Sequence, residues 1–302
     1  MALGAAQHVH GRESAALSNG SDDAAGNRQQ EAAERDAVVR AIAEAFVRAR
    51  REGAALAGFP GAIPDDLVAA YRVQDLAIAQ WPDQVIGWKV GYIQPQRRDA
   101  SGDERLLGPI FRRQVWPAAG VVEFPVFVGG FAAVEAEYVL RLLADAPPGK
   151  TAWTPQEAAA LPATLHVGIE IASSPLATIN ALGPCVVVSD FGNNNGLILG
   201  DQIADWHAIP EERLRAETWI DGECVGTGGA TFLPGGLLAA YAFALSRSAQ
   251  RRRPLRAGEL IATGNATGIH DIVVGQAAQV RFEGHGVIDA CAVVATAQDN
   301  AT

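Results

Sequence analysis

The chain is poor in the residues that most quickly assign a function. Three of its 302 residues are cysteine, Cys185, Cys224 and Cys291, and none forms a CxxC pair. That excludes a disulfide framework and a zinc knuckle, and it suits a reducing compartment. Lysine is scarcer still, with only Lys89 and Lys150 against a plentiful supply of arginine. Basic residues number 24 against 34 acidic, a net charge of −10, so a general nucleic-acid surface built on clustered Lys and Arg is excluded. The one dense basic run, Arg251-Arg252-Arg253, reads as a solvated helix end. The longest apolar stretch, near 235–245, is about half of what a bilayer-spanning helix needs, so no membrane association is expected. The N-terminus has neither a basic nor an apolar leader region, which makes the cytoplasm the expected location. No GxSxG elbow, GxGxxG or GxxxxGK[ST] pattern occurs; DFGNNNG and Gly228-Gly229 read as turns.

What is present is a core. Hydrophobic residues make up 49% and charged residues 19%, a globular balance. Residues 1–30 are polar and poor in aliphatics, so a disordered tail is expected there, and its His8 and His10 read as no site. Residues 31–302 are expected to form a single domain, with a helical part at 31–82 and a β-rich core at 83–302. Val38, Ile42, Phe46 and Val47 recur at helical spacing, and Pro64-Asp65-Asp66 opens a second helix that ends near Trp81. Strands are expected over 85–92, 134–143, 166–172, 185–189, 196–199, 259–262, 271–274 and 278–282, with further helices over 154–161 and 235–248. The pattern is α+β: a mixed arrangement of short helices around a largely β body, without regular βαβ alternation.

Candidate chemistry begins in Val134-Glu135-Ala136-Glu137-Tyr138. In a strand, residues two apart project from the same face, so Glu135 and Glu137 lie side by side. Two such carboxylates repel unless a cation compensates, and a hard divalent ion such as Mg²⁺ or Mn²⁺ prefers oxygen ligands. Glu170 is the single charge in the apolar run 166–172, where a carboxylate needs a partner or a metal. Lys89 is equally isolated within VIGWKVGYI, where a compact ammonium could meet a substrate carboxylate or enolate. Cys185, beside Pro184 in an apolar run, reads as an inert thiol, and His270 as a structural histidine.

GWKVG, Gly-Pro-Ile-Phe about twenty residues later, VEAEYVL, GIEIASSP, DFGNNNGLILG and GELIATG occur in the order found in 2-keto-4-pentenoate hydratases. The related 2-oxo-dienoate decarboxylases share that order, and the resemblance to this branch of the fumarylacetoacetate hydrolase superfamily covers about residues 35–290. It implies a fumarylacetoacetase C-terminal-like mixed β-roll with flanking helices, and a Mg²⁺ or Mn²⁺ site at Glu135, Glu137 and Glu170. It also implies that Lys89 sits beside the 2-oxo acid end of the substrate and that Thr263 and Gly264 line the pocket. The implied activity is a hydro-lyase of aromatic catabolism: water adds to a 2-hydroxy-2,4-dienoate and gives a 4-hydroxy-2-oxoacid. The implied assembly is a homo-oligomer, associated with a pathway decarboxylase or aldolase. Alternatives are decarboxylation of a 2-oxo-dioate, C–C hydrolysis of an acylpyruvate, or a non-catalytic partner subunit.

Three positions depart from the pattern. Leu106 stands where hydratases commonly carry an acid, so Asp103 and Glu104 are the nominated acid–base groups. Phe131-Ala132-Ala133 replaces a basic residue before the ExE strand. Asp190 and Asn193-Asn194-Asn195 replace the usual Asp-Asn.

Overall fold

A computed structural model describes residues 16–297. Helix α1 (Ala16–Glu52) begins well before residue 31, so residues 16–30, expected in the tail, belong to a helix. Residues 1–15, with His8 and His10, lie outside the described residues. The apolar spacing read from the sequence is the buried face of α1, through Ile42, Ala43, Phe46 and Val47. It packs on α2 (Leu67–Gln80), which starts where Asp66 accepts a hydrogen bond from the Ala69 N–H at 2.7 Å. Among the described residues no helix is long and apolar enough to cross a membrane.

The strands that follow are β1 (Val85–Tyr92), β2 (Arg105–Phe111), β3 (Val115–Pro117), β4 (Val121–Val126), β5 (Phe131–Leu142), β6 (Ala163–Ser174), β7 (Asn194–Ile203), β8 (Arg215–Ile220), β9 (Glu223–Gly229), β10 (Leu260–Ala262), β11 (His270–Asp271), β12 (Ala277–Phe282) and β13 (Gly286–Val294). Interspersed are α3 (Pro155–Ala159), α4 (Ile179–Leu182), α5 (Pro184–Ser189) and α6 (Gly236–Gln250). One sheet runs β2-β1-β10-β5-β6-β7-β3, with β11 also paired to β5; the other runs β4-β13-β12-β8-β9. Three of the pairings, β1 with β10, β3 with β7 and β4 with β13, are parallel. The expected mixed β body with flanking helices is the fold observed.

Residues 185–189, expected as a strand, form helix α5 instead, with Pro184 at its first turn after Gly183. A five-residue apolar run has no period that separates strand from buried helix. Here the run packs on α2 with Val186, Val187 and Val188 all buried, so its burial shows no strand alternation. The strand expected over 271–274 is only the two-residue β11, and β2, β8, β9 and β13 add strands that periodicity did not assign. The Gly-Pro-Ile-Phe and DFGNNNG segments owe their glycines to one another. A Cβ on Gly108 would lie 2.3 Å from the Phe191 carbonyl oxygen, and Gly192 (φ +64°) abuts the Gly108 Cα.

That contact leads to a second feature missed in the sequence. Arg50, at the end of α1, is buried against Asp190, its Nε donating to Oδ1 at 2.5 Å and Nη2 to Oδ2 at 3.0 Å. The guanidinium also donates to the Asn194 and Ser173 carbonyls and to Asn195 Oδ1, all at 3.1 Å. Ser174 completes the shell by donating to Asp190 Oδ2 at 2.6 Å. Removing one partner of such a pair strands a buried charge, so Asp190→Asn is expected to cost about 3–5 kcal/mol in urea unfolding. A loss under about 1 kcal/mol would show that the pair is not a structural anchor.

Candidate active site

The β5–β6 pairing places Glu135 opposite Glu170, and Glu137 opposite Gly168. A side chain at 168 would press on the Ile198 carbonyl and on Val139, so glycine there keeps β7 close while Glu137 stays on the face it shares with Glu135. The three carboxylates are buried, and one oxygen from each lies within 4.8 Å of the others. Lys89 approaches from β1 across β10, where its aligned neighbour is Ala262, whose methyl leaves the long side chain room. Its Nζ lies 3.1 Å from Glu170 Oε1. Asn194 Nδ2 donates to the same oxygen at 3.2 Å, the Gly264 N–H donates to Glu137 Oε2 at 2.8 Å, and the Asn265 side chain hydrogen-bonds Glu135.

Three acids thus face one ammonium. Burial, reinforced by Glu170, pushes the Glu135 carboxyl up to about 7. Burial together with Glu170 and Glu135 pushes Glu137 well above the usual carboxylate range. Burial alone would lower the Lys89 ammonium, but the facing Glu170 and Glu135 outweigh it and hold its pKa above the ordinary lysine value. Glu137 Oε1 is left buried without a hydrogen-bond partner. An all-oxygen donor set with two charges uncompensated and one oxygen unpartnered fits a hard divalent cation.

A cavity of about 390 Å³ opens onto Lys89 and Glu135, and its wall includes Tyr92, Arg97, Leu106, Asn193, Asn265 and Asp271. A hollow of about 600 Å³ on the second sheet is larger, but it sets Arg215 and Arg281 beside Glu217 and Glu283 without a buried convergent cluster. The chemistry lies in the smaller one.

The expected site residues separate into two groups. Lys89, Glu135, Glu137 and Glu170 converge. Asp103 and Glu104 do not line the cavity. The segment before β2 turns Asp103 to an ion pair with Arg247 on α6, and Glu104 to Arg98 at 2.9 Å and Arg105 at 3.8 Å. Thr263 is a brace rather than a lining residue, since its Oγ1 donates to the Tyr138 carbonyl at 2.8 Å. Gly264 (φ +109°) serves through its backbone N–H on Glu137. Leu106, the departure noted in the sequence, does face the cavity. His270 lies against Thr267, 3.2 Å from its carbonyl oxygen, and burial lowers its pKa. Asn194 was noted only as a departure from the pattern, and Asn265 and Arg97 were not singled out; the asparagines' only signal was their place among glycines in turn-like strings.

Two outcomes follow. Mg²⁺ is expected to raise the melting temperature of the wild type, and Glu137→Gln to abolish that shift while melting no lower than metal-free wild type, because a repulsive charge has gone. A Glu137→Gln protein that still responds to Mg²⁺ would remove this residue from the ligand set. Half-burial pushes the Cys185 thiol up to about 11, so a disulfide reagent at pH 8 should modify exposed Cys224 first. Reaction at Cys185 should accelerate only as pH rises toward 11, and equal rates at pH 8 would contradict its inert character.

No family model matches the chain, and no curated protein matches it. Solved structures do. With 4-oxalocrotonate decarboxylase from Pseudomonas putida G7, complexed with magnesium and adipate, the identity is 21% and the TM-score 0.72, over 84% of this chain and 97% of that one. The same enzyme complexed with calcium and acetate gives 21% and 0.68 over the same shares. Fumarylpyruvate hydrolase from Pseudomonas aeruginosa, complexed with Mn²⁺ and pyruvate, gives 17% and 0.49 over 70% of this chain and 91% of that one. The first two likenesses establish a shared fold, the mixed β architecture with flanking helices that the motif order implied.

Proposed function

We propose that this chain is a divalent-metal-dependent lyase of the fumarylacetoacetate hydrolase superfamily, and that its reaction is decarboxylation of an unsaturated 2-oxo-dioate. The observation that carries the reading is the buried Glu135–Glu137–Glu170 cluster with Lys89 at the cavity. Glu135, Glu137 and Glu170 would hold Mg²⁺ or Mn²⁺, which when bound supplies a Lewis acid for the 2-oxo acid group. Lys89 keeps its proton and offers a positive hydrogen-bond donor where oxygen charge develops. The bond to the distal carboxylate breaks, its electron pair moves through the conjugated chain to the 2-oxo oxygen, CO₂ leaves, and protonation of that oxygen gives a 2-hydroxydienoate. The shared fold with a 4-oxalocrotonate decarboxylase supports this reading. A homo-oligomer of single catalytic domains is part of the proposal.

Leu106 favours decarboxylation over hydration. Adding water requires a group that moves protons to and from the reacting carbons. The nominated acids Asp103 and Glu104 are committed to arginines away from the cavity, and the position where hydratases commonly carry an acid presents an apolar side chain. Asp271, exposed on the cavity wall, keeps hydration as the second reading.

The test is turnover of a 2-oxo-3-enedioate, and separately of 2-hydroxypenta-2,4-dienoate, with Mg²⁺ or with EDTA. Metal-dependent CO₂ release with a dienoate product is expected, and Glu135→Gln or Lys89→Met should each lower kcat/KM by about 10²–10³-fold. Formation of a 4-hydroxy-2-oxoacid from the dienoate without CO₂ release would establish hydration instead. Absence of turnover and of Mg²⁺ binding would reject the metal-dependent reading.

A further inference from the structure

The cavity has two cationic side chains, and they differ in kind. Lys89 is buried and paired with Glu170. Arg97 is exposed, in the 3-10 turn Pro95–Arg97 that follows β1, and among the described residues it has no carboxylate partner. Its guanidinium is nevertheless held: Nη1 donates to the Asn180 carbonyl at 2.5 Å, and the Asn180 side chain accepts from Asn193 Nδ2 at 3.2 Å. Asn180 and Asn193 both line the cavity. A flexible surface arginine would lose side-chain entropy on capturing a ligand, and this tether has already removed part of that cost.

The cavity therefore runs from a buried pole, at Lys89 and Glu135, to an exposed cationic one at Arg97. Its wall is also apolar at Ile93, Leu106 and Val187. That set of surfaces suits a molecule with a polar head, a short hydrocarbon part and an anionic end. The volume, about 390 Å³, lies at the lower end of small-molecule sites. Of the acids on the wall, Glu135 belongs to the carboxylate cluster, while Asp271 is exposed to water, which screens its charge.

We infer that Arg97 is a specificity-determining residue, which selects substrates carrying a second carboxylate distal to the 2-oxo acid group. This rests on the 2-oxo acid reading of the buried pole. The guanidinium presents the Nε and Nη2 donors that its tether leaves free, a fork that matches a carboxylate and that lysine reproduces only as a point charge. Its contact is made on capture and lost as CO₂ forms, so it acts in binding and leaves the chemistry to the buried pole.

The test uses two probes of equal chain length in the Mg²⁺-loaded protein: 2-oxoadipate, which has the second carboxylate, and 2-oxohexanoate, which lacks it. Neither has the conjugated double bond through which the electron pair would leave. Calorimetric titration should show 2-oxoadipate binding about 10- to 100-fold tighter, the factor that a charge-assisted hydrogen bond provides. Arg97→Met should bring the ratio close to 1, and Arg97→Lys should retain part of it. Equal affinities in the wild type, or a ratio that survives Arg97→Met, would overturn the role of Arg97 and leave the 2-oxo acid site standing. Failure of both probes to bind in the presence of Mg²⁺ would overturn the 2-oxo acid reading itself, and this inference with it.

Discussion

Three carboxylates on two adjacent strands, buried and within 4.8 Å of one another, set the terms for everything around them. Two full charges at such a separation repel by about 3–4 kcal/mol at an effective dielectric of about 20. No fold gains from that arrangement by packing alone. The surroundings answer it piecemeal: Lys89 and Asn194 on Glu170, the Gly264 N–H on Glu137, Asn265 on Glu135. These donors come from β1, from the start of β7 and from the turn after β10. The order β1-β10-β5-β6-β7 is thus the order in which compensating groups reach the cluster from either side. One ammonium against three acids still leaves a deficit, and that deficit is where a divalent cation belongs.

The second buried ion pair explains why a helix outside both sheets matters to the site. Arg50 ties the end of α1 to Asp190 and also to the Asn194 carbonyl and the Asn195 side chain. Asn194 in turn reaches Glu170. The chain from Arg50 through the 190–195 turn to Glu170 is continuous, and each link is a hydrogen bond between buried groups. Phe191 and Asn193 adopt left-handed backbone angles in this turn, a conformation that costs energy unless the surroundings impose it. Arg50 lies 5.1 Å from the Phe191 ring centroid, so the same guanidinium that neutralises Asp190 also packs the strained residue. Stability and site geometry therefore meet in one side chain.

How much of this was legible in the sequence follows from the range of each interaction. Strand alternation is local, so Glu135 and Glu137 could be placed on one face from their spacing alone. A charge inside an apolar run is also a local signal, and it singled out Glu170 and Lys89. Register is not local: nothing between residues 135 and 170 states that the two glutamates face each other across β5 and β6. Strand β5, which carries Glu135 and Glu137, is buried on both faces, as a central strand is when helices and a second sheet cover it. The 185–189 run failed for the opposite reason, since its five apolar residues carry no period and the α2 contact that makes them helical lies a hundred residues away in sequence. Arg50 gave no signal, and Asp190 and the asparagines of the turn were noted only as departures from a pattern, because polar residues in turns look alike until their partners are known.

Asp103 and Glu104 show how acids can lie next to a cavity in the sequence without lining it. Both lie in the segment that frames the cavity, and both are acidic, but the presence of Arg247, Arg98 and Arg105 decides where their side chains go. What remains facing the cavity from β2 is Leu106. An apolar wall does not move protons; it keeps water from whatever lies against it. A carboxylate at the same place would instead hold and return a proton, as addition of water demands. On the proposed reading, the buried pole with its three acids and one lysine would serve either chemistry, because both develop charge on the 2-oxo oxygen. On that reading the choice between them would rest on Leu106, an apolar side chain at the position where the hydratases that the chain resembles commonly carry an acid.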